Sequence, residues 1–333
     1  MSQTTVRAEP SPAEWLAMLK MMLVIRRTED QLGKDSRAGK LPGNVHAYIG
    51  QEAVAVGVCA HLTDHDFITS THRGHGHYLA KGGTPARLVA EVYGKQGGAC
   101  HGFGGSMHVA ELGKGMLGAN GIVGGGIGIA AGAALSASVG GQGQVAVGFF
   151  GDGAAAQGWL SEVLNMASLW KLPLVLVCEH NQFAEFMSSD SVTAGQIAER
   201  ARPFGIPSAT IDGNNLLEVW QAAGIAIERA RQGLGATLIE AKTYRLRGHV
   251  EAEAGFLPWK YRTDEEIASR TALDPIPAAI KVMRDGGTLD DERYAAIDRE
   301  VNQMVAEAVA FADASELPNP SQIPGAVFAD AVN

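Results

Sequence analysis

Two short, uninterrupted apolar runs, QVAVGFF at 144–150 and PLVLVC at 173–178, most constrain what this chain can fold into. A strand with one wet face alternates apolar and polar residues. These runs do not, so both faces of each strand must be covered, as inside a parallel sheet. Between them Trp159, Val163, Met166 and Trp170 recur at helical spacing, which makes the stretch a strand, a crossover helix and a second strand. The first run stops at Gly151-Asp152-Gly153 and the second is followed by Asn181. Ligands of open parallel sheets sit beyond the carboxyl ends of the strands, so Asp152 and Asn181 are expected side by side at neighbouring strand tips. A carboxylate and an amide oxygen form a hard oxygen pair suited to magnesium or calcium, and the flanking glycines let a phosphate group approach the backbone. GDG alone is also a common turn in which the acid serves only local backbone groups. The ordered strand, helix, strand and terminal Asn favour a metal-bridged phosphate site.

The rest of the chain supports an α/β protein. Trp15, Met18, Leu19 and Met22 predict an amphipathic first helix over Pro12 to Leu32, and HAYIGQEAVAVGVCAHL reads as a second. FITSTHRGHGHYLAKGG sets Arg73 among His72, His75 and His77 in a glycine-interrupted segment not expected to be regular helix. A long glycine-rich passage turns, from about Gly124, into small residues suited to a closely packed helix. Residues 216–232 read as helix, ATLIEAKTYRL as strand, and the chain from Asp264 as charged helix ending in a proline-bearing tail. The expected fold is a mostly parallel sheet with helices on both faces and a helical C-terminal part.

Composition excludes some partners. A formal charge of −9 with 19% charged residues carries no basic footprint for nucleic acid. Cys59, Cys100 and Cys178 have neither paired nor metal-binding spacing and read as reduced thiols. No apolar run is long enough for a bilayer span, and MSQTTVRAEPSPAEW lacks a secretory or transit pattern, so a cytoplasmic protein is expected.

GDG followed by a distant Asn resembles the thiamine diphosphate signature, and the similarity extends well beyond it. GNVHAYIGQEA, THRGHGHYLAKGG, GGSMHVA, KGMLGANGIVGGG, GDGAAAQG, NMASLWKLPLVLVCEHN, TYRLRGH and YRTDEEI all resemble alpha subunits of thiamine-dependent 2-oxo acid and acetoin dehydrogenases. They stand in that family's order over residues 12–312, with 1–11 and 313–333 left as peripheral termini. The resemblance implies that Asp152, Asn181 and the Phe183 carbonyl hold Mg2+. It implies that His72 and Arg73 grip the diphosphate beside Gly151 and Gly153, and that Gly121 and Val123 offer backbone contacts to the aminopyrimidine. His249 is the implied histidine over the reacting carbon, also touching the cofactor, with His46 and His75 as further active-site histidines. The remaining histidines read as surface or structural, except His180, whose role stays open.

The same resemblance implies partners. The glutamate that activates the aminopyrimidine belongs to a beta subunit in this family, and no equivalent is found here, so an alpha2beta2 assembly and a lipoyl-bearing acyltransferase are expected. Departures matter too: His180 replaces the first of two asparagines common in relatives, and Val250 stands where animal pyruvate dehydrogenases carry a phosphorylated serine. The substrate-side motifs look closer to acetoin dehydrogenases, with pyruvate dehydrogenase as the alternative. Two other classes stay open. Gly126, Gly128 and Ala131 fit the GxGxxA of an NAD-binding Rossmann oxidoreductase, although GMLGANGIVG before them is a poor strand. A non-catalytic binding relative is the other.

Overall fold

The computed structural model describes residues 7–322; residues 1–6 and 323–333, the outer parts of the expected peripheral termini, lie outside it. Its strands are β1 (Phe67–Thr69), β2 (Met116–Gly118), β3 (Ala146–Gly151), β4 (Leu174–His180), β5 (Phe183–Ala184), β6 (Met187–Ser188), β7 (Ser208–Asp212) and β8 (Thr237–Lys242). Six of them pair in parallel in the order β2-β1-β3-β4-β8-β7, while β5 and β6 form a small antiparallel hairpin. The helices are α1 (Pro12–Arg37), α2 (Glu52–Cys59), α3 (His75–Ala80), α4 (Pro85–Val92), α5 (Gly125–Gly140), α6 (Gly158–Leu169), α7 (Ser189–Val192), α8 (Leu216–Arg231), α9 (Asp264–Thr271), α10 (Pro275–Asp285) and α11 (Asp291–Ala314). No helix among the described residues is long and apolar enough to cross a membrane.

The two apolar runs explain themselves in this frame. Val147 and Phe149 of β3, with Val175 and Val177 of β4, enter the core that α1, α2 and α8 build on one face. Ala146 and Phe150, with Leu174, Leu176 and Cys178, enter the second core, under α5 and α6. Alternate side chains over 146–150 and 174–178 thus leave by opposite faces into apolar surroundings, and β4 turns polar only at its carboxyl end, with Glu179 and His180.

Local chemistry sets the helix ends. Ser11 caps α1 through a capping box with Glu14, and Pro12 occupies the first turn, where its missing N–H costs nothing. The helix runs on to Arg37, past the expected end at Leu32. The second helix, by contrast, starts only at Glu52. Residues 46–50 instead form an extended wall and a turn, because Gly50 takes φ +102° and buried carboxylates accept their backbone N–H groups: Glu29 from Tyr48, Glu52 from Gly50. The segment judged too glycine-broken for helix does contain one, α3. Gly76 is required within it, since a Cβ there would lie 2.1 Å from the Tyr48 ring. On α6 the two tryptophans are not the buried stripe: Trp159 and Trp170 are exposed, and Leu160, Val163, Leu164 and Ala167 face the core. GMLGANGIVG, expected to make a poor strand, contributes the short edge strand β2.

Glu91 of α4 organises the glycine-rich loop after that helix. Its fully buried carboxylate accepts backbone N–H groups from Cys100, Gly102, Gly104 and Gly105 at 2.7 to 3.0 Å. Gly98 passes so close that a Cβ would lie 2.3 Å from the carboxylate. Replacing Glu91 by Ala leaves four half-buried donors without their acceptor, and we expect a loss of about 2 to 3 kcal/mol. The urea unfolding midpoint of Glu91→Ala against wild type measures it, and an unchanged midpoint refutes the role.

Candidate active site

The carboxyl ends of five sheet strands open into one cavity of about 390 Å3. Ser70 to Arg73 follow β1, Asn120 to Gly124 follow β2, Gly151 to Gly153 end β3, Asn181 and Phe183 follow β4, and Arg245 and His249 follow β8. In the register of β3 with β4, Gly151 lies opposite Glu179, which sets Asp152 and Asn181 at adjacent tips. Of the residues singled out in the sequence, His46, His72, Arg73, Gly121, Val123, Gly151, Asp152, Gly153, Asn181, Phe183 and His249 all line this cavity.

His75 does not. Its ring is fully buried, with Nδ1 3.0 Å from Glu29 Oε2 and Nε2 3.0 Å from Ser106 Oγ. Both nitrogens are engaged in tying α1 to the glycine-rich loop. Gly126, Gly128 and Ala131 lie inside α5 rather than in a turn ahead of it, so the dinucleotide fingerprint fails on geometry. Packing accounts for Gly126, where a Cβ would lie 3.0 Å from the Ser70 carbonyl, while a Cβ on Gly128 would meet the Trp159 ring at an ordinary 3.5 Å.

The cavity holds unpaired charges of both signs. Asp152 is buried, and while its Oδ1 accepts the Gly153 N–H at 3.0 Å, its Oδ2 has no hydrogen-bond partner. Burial raises its pKa above the ordinary carboxylate value. Asn181 donates Nδ2 to Gln51 Oε1 at 2.9 Å, which fixes the amide and leaves Oδ1 with a single long contact, 3.3 Å, from the Phe183 N–H. Arg73 and Arg245 are also buried. Arg73 donates to the Ala47 and His249 carbonyls, and Arg245 to the Glu185 carbonyl and the Tyr261 hydroxyl; neither forms a salt bridge with a carboxylate among the described residues. Desolvation and its neighbour Arg245 pull Arg73 down to about 9. Among the described residues no group of three His, Cys, Asp or Glu side chains converges as a metal cage. The available oxygens are one carboxylate, one amide and a carbonyl, a set that an ion could use only together with oxygens of a bound ligand.

Beside these charges His46, His72 and His249 pack as a cluster, His46 roughly perpendicular to each of the other two rings, with ring centroids 4.9, 5.0 and 5.3 Å apart. Burial first, and Arg73 second, lower all three, His46 to about 3 and His72 and His249 to about 2. They form a neutral wall.

Three contributors went unmarked in the sequence. Gln51 orients Asn181. Arg245, four residues before His249, was visible only as part of a basic turn. Glu179 accepts a hydrogen bond from Tyr48 and sits 3.2 Å from His77 Nε2, joining the cavity to a buried polar chain that ends 2.7 Å away at Ser70 Oγ. His180 turns Nδ1 to Glu240 at 2.8 Å, and its Nε2 faces Asp152 Oδ2 at 3.8 Å.

A family model described as the dehydrogenase E1 component matches residues 20–321. The chain belongs to that family. The alpha subunit of acetoin:2,6-dichlorophenolindophenol oxidoreductase from Bacillus subtilis is 46% identical over 92% of this chain and 91% of its own. That of Cupriavidus necator is 44% identical over 92% of each. The pyruvate dehydrogenase E1 component subunit alpha of Rhizobium meliloti is 37% identical over 95% of this chain and 90% of its own.

The histidine wall has a consequence for acid stability. An unfolded imidazole takes its proton near pH 6.5, whereas these three resist protonation to about 2 or 3 when folded. Between those limits the unfolded chain binds more protons, so stability falls as pH falls, by up to about 1.4 kcal/mol per pH unit for each ring. In His72→Gln the acid limb of unfolding free energy against pH should be shallower by about one proton; an unaltered slope counts against the depressed value.

Proposed function

We propose that this chain is the alpha subunit of an acetoin-cleaving dehydrogenase that binds thiamine diphosphate through Mg2+. The single observation that carries the cofactor is the coexistence, in one cavity, of a buried carboxylate oxygen lacking a hydrogen-bond partner and two buried guanidiniums that form no salt bridge with a carboxylate among the described residues. A metal-bridged diphosphate supplies both missing charges at once, the cation to Asp152 and the phosphate oxygens to Arg73 and Arg245. Asp152, the Asn181 amide oxygen and the Phe183 carbonyl would hold the ion. Gly151, Gly153 and His72 would flank the diphosphate, and Gly121 and Val123 would meet the aminopyrimidine. When bound, the cofactor supplies a carbanion that adds to a carbonyl and stores the electron pair of the cleaved bond.

What this chain's own residues do then follows from their surroundings. Arg73 and Arg245 would keep positive charge beside the phosphate groups. The uncharged rings of His46, His72 and His249 would offer hydrogen bonds to the oxygens of a bound carbonyl substrate. The names of the two relatives at 46% and 44% identity point to acetoin, while pyruvate is the alternative that the other relatives favour. The products are acetaldehyde and an acetyl unit passed to a lipoyl group on an acyltransferase. Those relatives are alpha subunits, which supports a beta subunit that supplies the missing activating glutamate and closes the cofactor from the other end. Cytoplasmic placement completes the reading.

Three outcomes test it. Reconstituted with its beta partner, the chain should turn over acetoin with a kcat/KM on the order of tenfold or more above that for pyruvate; preference for pyruvate overturns the substrate assignment. Asp152→Asn should leave the ligand-free chain as stable as wild type or more so, because an uncompensated buried charge is gone. It should also lose the Mg2+-dependent thermal stabilisation by thiamine diphosphate, worth about 2.7 kcal/mol at a hundredfold excess over Kd; a retained shift removes Asp152 from the metal. His249→Ala should slow turnover by about a hundredfold or more with cofactor affinity kept, and full activity would return it to a structural role.

A further inference from the structure

The β8 tip brings two groups together in a way the cavity's other contacts do not require. Arg245 Nη1 lies 3.2 Å from Nδ1 of His249, and both residues line the cavity. A guanidinium has five N–H groups and no acceptor, so at this contact it can only donate. Nδ1 must then be the bare nitrogen of the ring.

The remaining surroundings hold the arrangement still. Arg245 is among the largest fully buried side chains, and its Nη2 is anchored by the Glu185 carbonyl at 2.8 Å and the Tyr261 hydroxyl at 2.9 Å. Its guanidinium lies over the rings of Phe183 and Tyr261, each 5.8 Å away. The backbone of His249 is gripped on both sides, its carbonyl by Arg73 at 3.2 Å and its N–H by Glu253 at 2.5 Å. Rotation of the ring is limited by His46, His72 and Phe186, whose centroids stand 5.0 to 5.5 Å off. Burial and Arg73 together keep the imidazole neutral. A neutral ring bare at Nδ1 carries its one proton on Nε2, and no protein partner among the described residues takes that proton.

We propose that Arg245 is a positioning residue which locks His249 in the Nε2-protonated tautomer, so that His249 meets the substrate as a hydrogen-bond donor and not as a base. This rests on the acetoin or 2-oxo acid reading for its catalytic consequence, but not for the tautomer itself. The donor suits the oxygen of a reacting carbonyl, where negative charge builds as the carbon is attacked.

Nitrogen-15 NMR of the full chain labelled at histidine, alone and with its beta partner, reads the tautomer directly; loss of a resonance in His249→Gln identifies the ring. Wild type should give a bare Nδ1 and a protonated Nε2 that do not titrate across the neutral range. Arg245→Met should convert this to an exchanging mixture and lower kcat on the order of tenfold, the scale on which removal of an orienting partner acts, with KM changed far less. Arg245→Lys, which keeps one donor, should recover part of both signals. A wild-type ring protonated on Nδ1 overturns the proposal, as does an Arg245→Met enzyme with unaltered tautomer and kcat. If Arg245→Met does not fold, the wild-type spectrum and Arg245→Lys still decide. A correct tautomer in an assembly that turns over neither acetoin nor pyruvate refutes the functional reading and leaves the tautomer assignment standing.

Discussion

A buried charge without a partner is among the most costly things a fold can keep, and this one keeps three around a single cavity. Asp152 Oδ2, Arg73 and Arg245 could in principle neutralise one another, yet their donors and acceptors are held apart, the arginines by backbone carbonyls and a tyrosine hydroxyl, the carboxylate by the Gly153 N–H. Direct pairing would be the cheaper arrangement for stability alone. Holding the charges at a separation, each pre-satisfied only in part, prepares the cavity for a ligand that carries both signs. The sheet makes this possible, since parallel strands in register deliver all their carboxyl ends to one side, so side chains distant in sequence arrive at fixed spacing.

That same feature decides what the sequence discloses. The two central strands are legible because burial on both faces makes residues 146–150 and 174–178 continuously apolar, and the acid and the amide at their tips are legible because the strands are. β1 and β2, with three residues each, are too short for any period to register, and their Ser70, Thr71 and Asn120 neighbours enter the cavity without a pattern of their own. The misread face of α6 has a different cause. Trp159 and Trp170 are large and apolar, but the small Ala167 and the branched Leu160, Val163 and Leu164 fit the close packing under α5, and the indoles stay outside.

Buried glutamates explain most of the rest. Glu29 takes the Tyr48 N–H and His75, Glu52 takes the Gly50 N–H and Arg26, Glu91 takes four loop N–H groups, and Glu240 takes the Ala198 N–H and His180. Each is a carboxylate that stands in for the regular backbone ladder where the chain must be irregular to line a cavity. In the sequence they look like ordinary solvated charges on helices and strands. Their task depends on loops tens of residues away, which is why His75 reads as an active-site histidine by position and proves to be a strut by contact.

The lining of the cavity also carries exposed apolar side chains. Ile122, Val123 and Met187 all line it, and yet they are 71%, 49% and 55% exposed. Asp152, Asn181, Arg73 and Arg245 bring charge and hydrogen-bonding groups to the lining, while Ile122, Val123 and Met187 bring apolar side chains. A long ligand with a diphosphate at one end and a heteroaromatic ring at the other would have its charged half matched here and its ring half resting on apolar side chains and the backbone of Gly121 to Val123. Of the carboxylates that line the cavity, Asp152 and Glu179 lie at the β3 and β4 ends and Glu185 in the β5–β6 turn. The exposed apolar side chains of this lining are compatible with the beta subunit proposed from the alpha-subunit relatives, which would cover them.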